Sequence, residues 1–278
     1  MFISMISING LIQEESQISI ENNRGFLFGD ALFDTLIYRN NKFVFLEAHY
    51  FRLLASMRQL RMDIPTFFTQ DYWEEQVFKT IKANSLQDSR IRTSVYRASK
   101  GLYTPSTNKV HFVIQVTPLI DSSKSIYKLG IYKENFVNTS PISNLKTTNR
   151  ITNVLASIFA NENEFDNCLL LNHKKQIAEV NNANIFLVIK NKIITPLLSE
   201  GCINGIVRLK LIELLKKEPN FEIIETTINP FDLLKADEVF ISNSVVGIQA
   251  ITHFKKKIYT TEVSDKLKRK LAELIEKE

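Results

Sequence analysis

The sequence predicts an α+β protein of two domains, and three observations support this. Strand-like runs rich in β-branched and aromatic residues alternate with helical patterns over residues 1–118. Residues 129–278 are richer in strand-like runs, which three helical patterns interrupt. Between them, residues 121–125 are all polar, as is typical of a linker. We therefore expect an N-terminal α/β domain over 1–118, a linker over 119–128 and a strand-rich C-terminal α/β domain over 129–278.

The N-terminal domain is predicted to contain four strands and two helices. The strands are expected over residues 3–8, 33–38, 91–96 and 110–116, and the helices over 47–60 and 71–84. In the second helix Trp73, Val77 and Ile81 recur every four residues, and Asp71 is expected to cap its first turn.

The C-terminal domain is predicted to contain six strands and three helices. The strands are expected over residues 129–137, 168–171, 185–189, 193–195, 221–226 and 239–241. The helices are expected over 151–160, 206–215 and 264–278, with Ser264 as the cap of the last.

The chain is 44% hydrophobic, which is typical of a globular protein that can bury a sizeable core without disulfides or structural metals. Its two cysteines, Cys168 and Cys202, have neither metal-ligand spacing nor a disulfide framework, and the histidines are scattered. We therefore predict no metal site. The start lacks the basic and long apolar regions of a signal peptide, and no run reaches membrane-spanning length. We expect a soluble cytoplasmic protein with no membrane partner.

The formal charge of +5 does not by itself indicate a nucleic-acid partner. The 35 basic residues are spread along the chain and interleaved with 30 acidic ones, and no nucleic-acid motif is present. No P-loop, dinucleotide glycine fingerprint or serine elbow is found either. We expect a small-molecule substrate, and the modest positive potential favours an anionic one.

Lys146 is the first candidate for chemistry. It lies in a polar run, residues 143–150, between a predicted strand and a predicted helix. A primary amine at such a boundary, with few carboxylates nearby in sequence, can have its pKa lowered and attack a carbonyl carbon. A second signal follows at Glu179, a carboxylate between apolar neighbours at the mouth of a strand. The two segments in this order form a specific pattern.

Together these segments resemble the class IV aminotransferase family, the pyridoxal-phosphate (PLP) enzymes of fold type IV. The family includes branched-chain and D-amino-acid transaminases and 4-amino-4-deoxychorismate lyase. Residues 23–35, 49–53 and 205–208 also match, so the resemblance runs from about residue 9 to about residue 251. It implies a two-domain type IV fold with the cofactor between the domains, and a homodimer.

The resemblance also implies roles for the two candidates. Lys146 corresponds to the lysine that bonds covalently to the cofactor, and Glu179 to the glutamate that contacts the pyridine nitrogen. A carboxylate there stabilises the protonated ring by Coulomb attraction, and a protonated ring withdraws electrons from the substrate.

For the cofactor phosphate, four positions are implied. Arg52 offers a planar fork of donors that keeps its charge in any environment. Ile206 and Val207 open a helix, whose N-terminal amides bind anions. Val207 stands where relatives often carry a hydroxyl residue, so that backbone donors remain there. Ser244 matches a position that supplies a hydroxyl.

The substrate pocket is less well specified. Phe28 and Phe33 align with residues that line it, although aromatic residues in such a run are equally typical of a core. Lyases and D-amino-acid transaminases place a second arginine near Leu102 to hold a substrate carboxylate. Arg97 or Lys100 is the substitute that this sequence offers. Arg24 and Asp30 are expected to pair as structural residues.

The choice of reaction rests on three local features. Thr35 stands where aminodeoxychorismate lyases carry threonine, residues 146–150 are similar to the lyase Lys-x-x-Asn-Arg, and Ile37 occupies the place of an arginine common in branched-chain enzymes. The resemblance thus favours a lyase of the folate pathway that converts 4-amino-4-deoxychorismate to 4-aminobenzoate and pyruvate. It implies that Thr35 hydrogen-bonds to or protonates the leaving enolpyruvyl group. The alternative is a branched-chain or D-amino-acid transaminase that uses 2-oxoglutarate.

Overall fold

The computed structural model describes residues 4–14 and 20–277, and the chain divides into two compact units. Unit 1 comprises Met1–Ile120 and Leu145–Asn149, and unit 2 comprises Asp121–Asn144 and Arg150–Glu278. The short segment Leu145–Asn149, which the sequence prediction placed in the C-terminal domain, belongs to unit 1. The reason is that its backbone is hydrogen-bonded to a strand of that unit, for example from the Thr148 N–H to the Ala31 carbonyl at 3.0 Å.

Unit 1 is built on a six-stranded antiparallel sheet with the order β2-β1-β6-β5-β3-β4. Its strands are β1 Met5–Ile8, β2 Leu11–Glu14, β3 Ala31–Arg39, β4 Lys42–Phe43, β5 Ser89–Arg97 and β6 Val110–Pro118. Its helices are α1 Arg24–Phe28, α2 Leu46–Gln59 and α3 Gln70–Ala83. The first predicted strand began at residue 3, which lies outside the described residues. The sequence prediction did not include β2, β4 or α1.

The core of unit 1 lies where α2 and α3 pack on one face of the sheet. Fully buried side chains from both helices meet there, and the Trp73 indole N–H donates to the Thr93 hydroxyl at 3.0 Å. The predicted helical cap at Asp71 is wrong. Thr69 has the extended backbone that a cap requires, and its hydroxyl accepts the N–H of Tyr72 at 3.2 Å.

Strand β5 alternates strictly between two environments. Every second residue from Ser89 to Arg97 is buried on the side of the core, and the residues between them, including Arg90 and Arg92, are half-buried on the opposite face. The face of the sheet opposite α2 and α3 therefore carries polar and cationic side chains.

Unit 2 contains two five-stranded sheets, with the orders β12-β11-β10-β13-β14 and β16-β15-β7-β8-β9. The strands are β7 Lys128–Val137, β8 Asn167–Asn172, β9 Ile177–Val180, β10 Asn184–Ile189, β11 Lys192–Pro196, β12 Glu222–Thr226, β13 Glu238–Asn243, β14 Gly247–Ile251, β15 His253–Phe254 and β16 Lys257–Ile258. The helices are α4 Ile151–Glu162, α5 Ile206–Leu215 and α6 Glu262–Lys277, with 3-10 turns at Leu198–Glu200 and Pro230–Leu234. The predicted α+β class is confirmed.

The core of unit 2 joins its two sheets. Buried residues of β7, β8 and β9 form one hydrophobic cluster with buried residues of β10 and β13, such as Leu169, Ile185 and Val239. Helix α4 packs on β7 and β8 through the small residues Ala156 and Ala160. No helix in the described part of the chain combines the length and apolar character needed to cross a bilayer.

The last helix begins two residues before the predicted cap. The carboxylate of Glu238 accepts the N–H groups of Val263 and Ser264 at 2.8 and 2.9 Å, and it also accepts the Ser264 hydroxyl at 3.0 Å. Ser264 is therefore not the cap, because a buried acid from β13 satisfies the first-turn amides. The predicted end at residue 278 lies outside the described residues.

Candidate functional site

In unit 1, Lys146 lies on the short segment that is bonded to β3. Its carbonyl oxygen accepts the N–H of Phe33 at 2.9 Å, and the next residue, Thr147, is bridged to Leu32. These bonds hold the backbone of Lys146 against the start of β3, and its side chain is half-buried. A primary amine is thus presented from a fixed position on the sheet.

The ring of Phe33 contacts two cationic side chains. Lys146 Nζ lies 4.5 Å from the ring centre, and Arg92 Cζ lies 3.8 Å from it. Arg92 is directly across from Thr35 in the β3–β5 register, and its Nε donates to the Ser94 hydroxyl at 3.3 Å. Thr35 is only 7% exposed. The amine, a guanidinium and the predicted catalytic hydroxyl therefore gather around one face of the sheet.

Arg52, the predicted phosphate-binding residue, is held by a buried carboxylate. Its Nε and Nη2 lie 2.9 and 2.7 Å from one oxygen of Asp34, and His49 Nδ1 lies 2.5 Å from the other oxygen. Asp34 and His49 are both 1% exposed. Asp34 comes from β3, and both its partners come from α2, so that one acid fixes two side chains of the neighbouring helix.

These contacts shift the pKa values of the two buried groups. Burial alone would raise the pKa of Asp34, but the opposing charges and hydrogen bonds of Arg52 and His49 bring it below its ordinary value. The pKa of His49 is lowered, chiefly by burial, with further contributions from Arg52 and Lys146, and against the attraction of Asp34. Asp34 is thus a stable anion that neutralises part of the charge of Arg52.

Arg97 lies on the opposite face of β5 from Arg92, since the two are five residues apart in a strand. Its guanidinium donates to Asp30 at 2.9 Å, to Asn108 at 2.5 Å and to two backbone carbonyls, at Leu60 and residue 61. These hydrogen bonds give the Arg97 side chain a structural role in unit 1. The Arg92 guanidinium, on the other face, lies against the Phe33 ring that Lys146 also contacts.

The predicted pair of Arg24 and Asp30 is present at 2.9 Å. Arg24 also donates to the carbonyls of Gly101 and Leu102 at 2.9 and 2.5 Å, and therefore anchors the loop that follows β5. Phe28, expected in the substrate pocket, is 36% exposed, and its ring lies 4.8 Å from Arg24 Cζ. This network belongs to the structure of unit 1.

In unit 2, Glu179 is a buried acid at the end of β9. It is 4% exposed, its Oε2 accepts the N–H of Ile203 at 2.9 Å, and its Oε1 lies 4.0 Å from Arg150 Nη1. Burial lowers the pKa of Arg150, while the charge of Glu179 acts in the opposite direction. A buried carboxylate oriented by a backbone amide is suited to pair with a protonated ring nitrogen.

Asn184 connects the segment that leads into α5 with the strand that leads to Ser244. The Asn184 amide donates to the carbonyl of Ile203 at 2.8 Å, two residues before the cap of α5, Gly205. In the β10–β13 register Asn184 lies across from Ser242, whose strand leads into the turn that carries Ser244. Asn184 therefore links the start of α5 to that turn.

Two features of this region fit an anionic group. No side chain caps the first turn of α5 among the described residues, so that the amides of Ile206 and Val207 are available as donors. The hydroxyl of Ser242 is buried with no hydrogen-bond partner in the described part of the chain.

The described side chains supply what a phosphorylated aldehyde with a basic ring requires. Lys146 provides an amine, Glu179 provides a buried acid, and Arg52 and the first turn of α5 provide anion donors. The chemistry of this donor set fits PLP.

Three residues of this region were not predicted from the sequence. Arg92 lies on the polar side of an alternating strand, so its position at the face of Phe33 could have been inferred from that alternation. Asp34 and His49 lie in the matching stretches, yet their joint contact depends on the packing of α2 on β3, which no local signal reveals.

Comparison with known proteins identifies the family of this chain. The family described as amino-transferase class IV matches residues 31–254. A probable branched-chain-amino-acid aminotransferase of Aquifex aeolicus is 32% identical over 86% of this chain and 79% of its own. An aminodeoxychorismate lyase of Vibrio harveyi is 27% identical over 89% and 90% of the two chains.

A crystal structure of the branched-chain aminotransferase from Thermoproteus uzoniensis with norvaline has the same fold. The TM-score is 0.90 at 21% identity, and the similarity covers 98% of this chain and 95% of the other. This likeness confirms the predicted type IV fold.

Proposed function

Since the chain belongs to the class IV aminotransferase family and is a PLP-dependent enzyme, we propose that it is an amino-acid transaminase that passes nitrogen to a 2-oxo acid. The observation that carries this proposal is Arg92, which contacts the same ring as Lys146. Every amino acid and every 2-oxo acid has a carboxylate for such a guanidinium to bind. The similarity to branched-chain aminotransferases over most of the chain ranks this reaction above the lyase that local sequence features favoured.

In this proposal the cofactor is held by residues with distinct tasks. When bound, PLP supplies an electron-withdrawing ring that stabilises negative charge at the substrate carbon. Lys146 holds its aldehyde carbon, and Glu179 pairs with its ring nitrogen. Arg52, together with the amides of Ile206 and Val207, binds the phosphate.

The same residues move the proton and orient the substrate. When it is not bonded to the cofactor, the Nζ of Lys146 would act as the base that takes a proton from the substrate α-carbon. Arg92 binds the carboxylate and thereby keeps the α-carbon within reach of that amine. Asp34 holds Arg52 in place and keeps its fork of donors oriented.

The test is a half-reaction with the purified holoenzyme. We expect the visible absorption of lysine-bound cofactor, its loss on addition of an amino acid without any acceptor, and its return on addition of 2-oxoglutarate. Lys146→Ala abolishes the initial absorption, because the amine is removed. An unchanged spectrum in that variant would remove Lys146 from its role.

The second candidate reaction is the aminodeoxychorismate lyase. It is supported by Thr35, which lies directly across from Arg92, and by the similarity to the Vibrio harveyi lyase. A lyase releases pyruvate from aminodeoxychorismate without an amino acceptor. Pyruvate release with no spectral response to amino acids would replace the transaminase proposal.

We also infer that the enzyme is a homodimer, as the family resemblance implies, and that it is cytoplasmic, as its sequence composition led us to expect. Helix α4 supports this, because its buried side is made of small residues and its outer side is apolar. Ile151, Val154 and Ile158 are 68%, 50% and 50% exposed. Apolar side chains exposed together on one helix are typical of a protein–protein interface.

A further inference from the structure

Residues 198–204 of unit 2 form a loop between β11 and α5 that orients the acid Glu179. The N–H of Ile203 in this loop donates to Glu179 Oε2 at 2.9 Å, and the Ile203 carbonyl accepts the side-chain amide of Asn184 at 2.8 Å. The loop then leads into Gly205, the cap of α5. The position of loop 198–204 therefore determines both the orientation of a buried carboxylate and the start of a helix.

Asn144 holds loop 198–204 at three points. Its side-chain amide donates to the carbonyls of Leu198 and Cys202 at 2.7 and 2.6 Å, and its own carbonyl accepts the N–H of Asn204 at 3.3 Å. The bonds thus reach from the first residue of the loop to the last. One residue fixes the path of the loop on both sides of the N–H that contacts the acid.

The segment that ends at Asn144 also approaches the loop closely at Gly201. This glycine has a φ of +99°, and a Cβ there would lie 2.7 Å from the carbonyl oxygen of Asn138. The same carbonyl accepts the hydroxyl of Ser143 at 2.6 Å, which fixes the turn just before Asn144. The three bonds of Asn144 therefore belong to two closely packed segments, and the residue itself is half-buried.

The orientation of Glu179 is sensitive to the position of the loop. Glu179 is 4% exposed, and a hydrogen bond from a backbone N–H weakens steeply when its angle or length departs from the optimum. Supporting hydrogen bonds keep the groups of a binding site within about 0.5 Å of the working geometry. Removal of the Asn144 amide would take a donor from two carbonyls of the loop and thereby loosen the Ile203 N–H.

Resting on the proposed function, we propose that Asn144 is a positioning residue for Glu179. It acts through loop 198–204, which holds the Ile203 N–H against the carboxylate that pairs with the cofactor ring nitrogen in that proposal. Asn144 is two residues before Lys146 in the chain. The polar run that supplies the amine therefore also supplies the support of the acid.

The test compares two ligands that differ only at the ring nitrogen. PLP and its deaza analogue, in which a carbon replaces that nitrogen, carry the same aldehyde and phosphate. Their dissociation constants are measured with the full-length protein after removal of the cofactor. We expect the wild type to prefer PLP by about 10- to 100-fold, the value of one charge-assisted hydrogen bond.

The variant Asn144→Leu keeps the approximate size of the side chain and removes its donors. We expect it to reduce the preference for PLP over the deaza analogue by about 3- to 10-fold, the value of one neutral hydrogen bond. A merely structural role would weaken the binding of both ligands equally and leave their ratio unchanged. The ratio therefore reports on the orientation of Glu179 and not on the stability of the fold.

The matched control is Asn84→Leu in unit 1. The Asn84 side-chain amide likewise donates to two backbone carbonyls, those of Met5 and Thr80, both at 2.8 Å, and the residue is also half-buried. We expect this variant to lower the melting temperature and to leave the ratio of the two dissociation constants at the wild-type value.

Hydrogen exchange measures the loop directly. In the cofactor-free protein, peptides that contain Ile203 should exchange faster in Asn144→Leu than in the wild type, and at the wild-type rate in Asn84→Leu. Should circular dichroism show that Asn144→Leu does not fold, Asn144→Ser, which keeps one donor, decides by the same ratio. A reduced ratio then supports the inference, and an unchanged one overturns it.

Two further results would overturn the inference. One is a wild-type ratio in a folded Asn144→Leu, and the other is an equal fall of the ratio in Asn144→Leu and Asn84→Leu. A wild-type protein that binds both ligands equally would remove Glu179 from its role and the inference with it. The proposed transamination is tested separately by the half-reaction with amino acids, so that the failure of either proposal is recognised by its own measurement.

Discussion

Replacing Asp34 by Asn tests the physical account of the Arg52 region. The substitution keeps the shape of the side chain and removes its charge. In the structure this carboxylate takes two contacts from Arg52 and one from His49, and it is 1% exposed. The amide of Asn cannot accept at both positions, so that Arg52, whose side chain is 11% exposed, loses its countercharge.

The size of the effect follows from the burial of the pair. Removing one partner of a buried ion pair costs about 3–5 kcal/mol, since the other charge is left without compensation. Exposed pairs are worth only about 0–1 kcal/mol. Glu75→Gln is therefore a matched control, because Glu75 pairs with Lys79 at 2.8 Å with its side chain 58% exposed.

The assay is urea unfolding of both variants at neutral pH and during acidification. We expect Asp34→Asn to lower the free energy of unfolding by about 3 kcal/mol or more, and Glu75→Gln to lower it by less than about 1 kcal/mol. Because the pKa of Asp34 is lowered in the folded state, its contribution is present above about pH 3.9 and is lost as the pH falls below that value. A loss equal to that of Glu75→Gln would refute the reasoning.

Two further predictions concern thiols and a backbone turn. Burial raises the pKa of Cys168 to about 11 and that of Cys202 to about 12. We therefore expect neither thiol to react with Ellman's reagent at pH 8 until the protein is unfolded. Rapid release of thionitrobenzoate on mixing the reagent with the native enzyme would contradict this. Gly29→Ala should destabilise the protein more than Gly247→Ala in thermal unfolding. Both residues have positive φ, 63° and 67°, but an added Cβ would overlap Asn149 at the first and meet no atom closer than 3.6 Å at the second.

The longer elements were predictable because their signals are local. The helix predicted over 206–215 is found at Ile206–Leu215, and the strand predicted over 110–116 lies within Val110–Pro118. Both depend on periodic apolar residues that the chain itself supplies. The five-residue α1 and the four-residue β9 are too short to show a period, so that tertiary contacts decide their conformation.

The sequence supplied the candidate residues of the site but not the side chains that contact them. Lys146 and Glu179 were selected from their sequence surroundings, and Arg52 from the family resemblance. Arg97 is hydrogen-bonded to Asp30, 67 residues away, and Glu238 caps α6 at a residue 26 positions away. No window along the sequence contains both members of such a pair, and a short side chain that could cap a helix is also common in turns.

The path of the chain through Leu145–Asn149 has a consequence for biosynthesis. The segment that carries Lys146 completes unit 1 only after the polypeptide has already entered unit 2 at Asp121. A nascent chain ending near residue 120 would lack the five residues that bond along the start of β3. The first unit therefore cannot finish its own assembly on the ribosome before part of the second has been synthesised, and a gene fragment cut at that boundary would encode an N-terminal half without its amine.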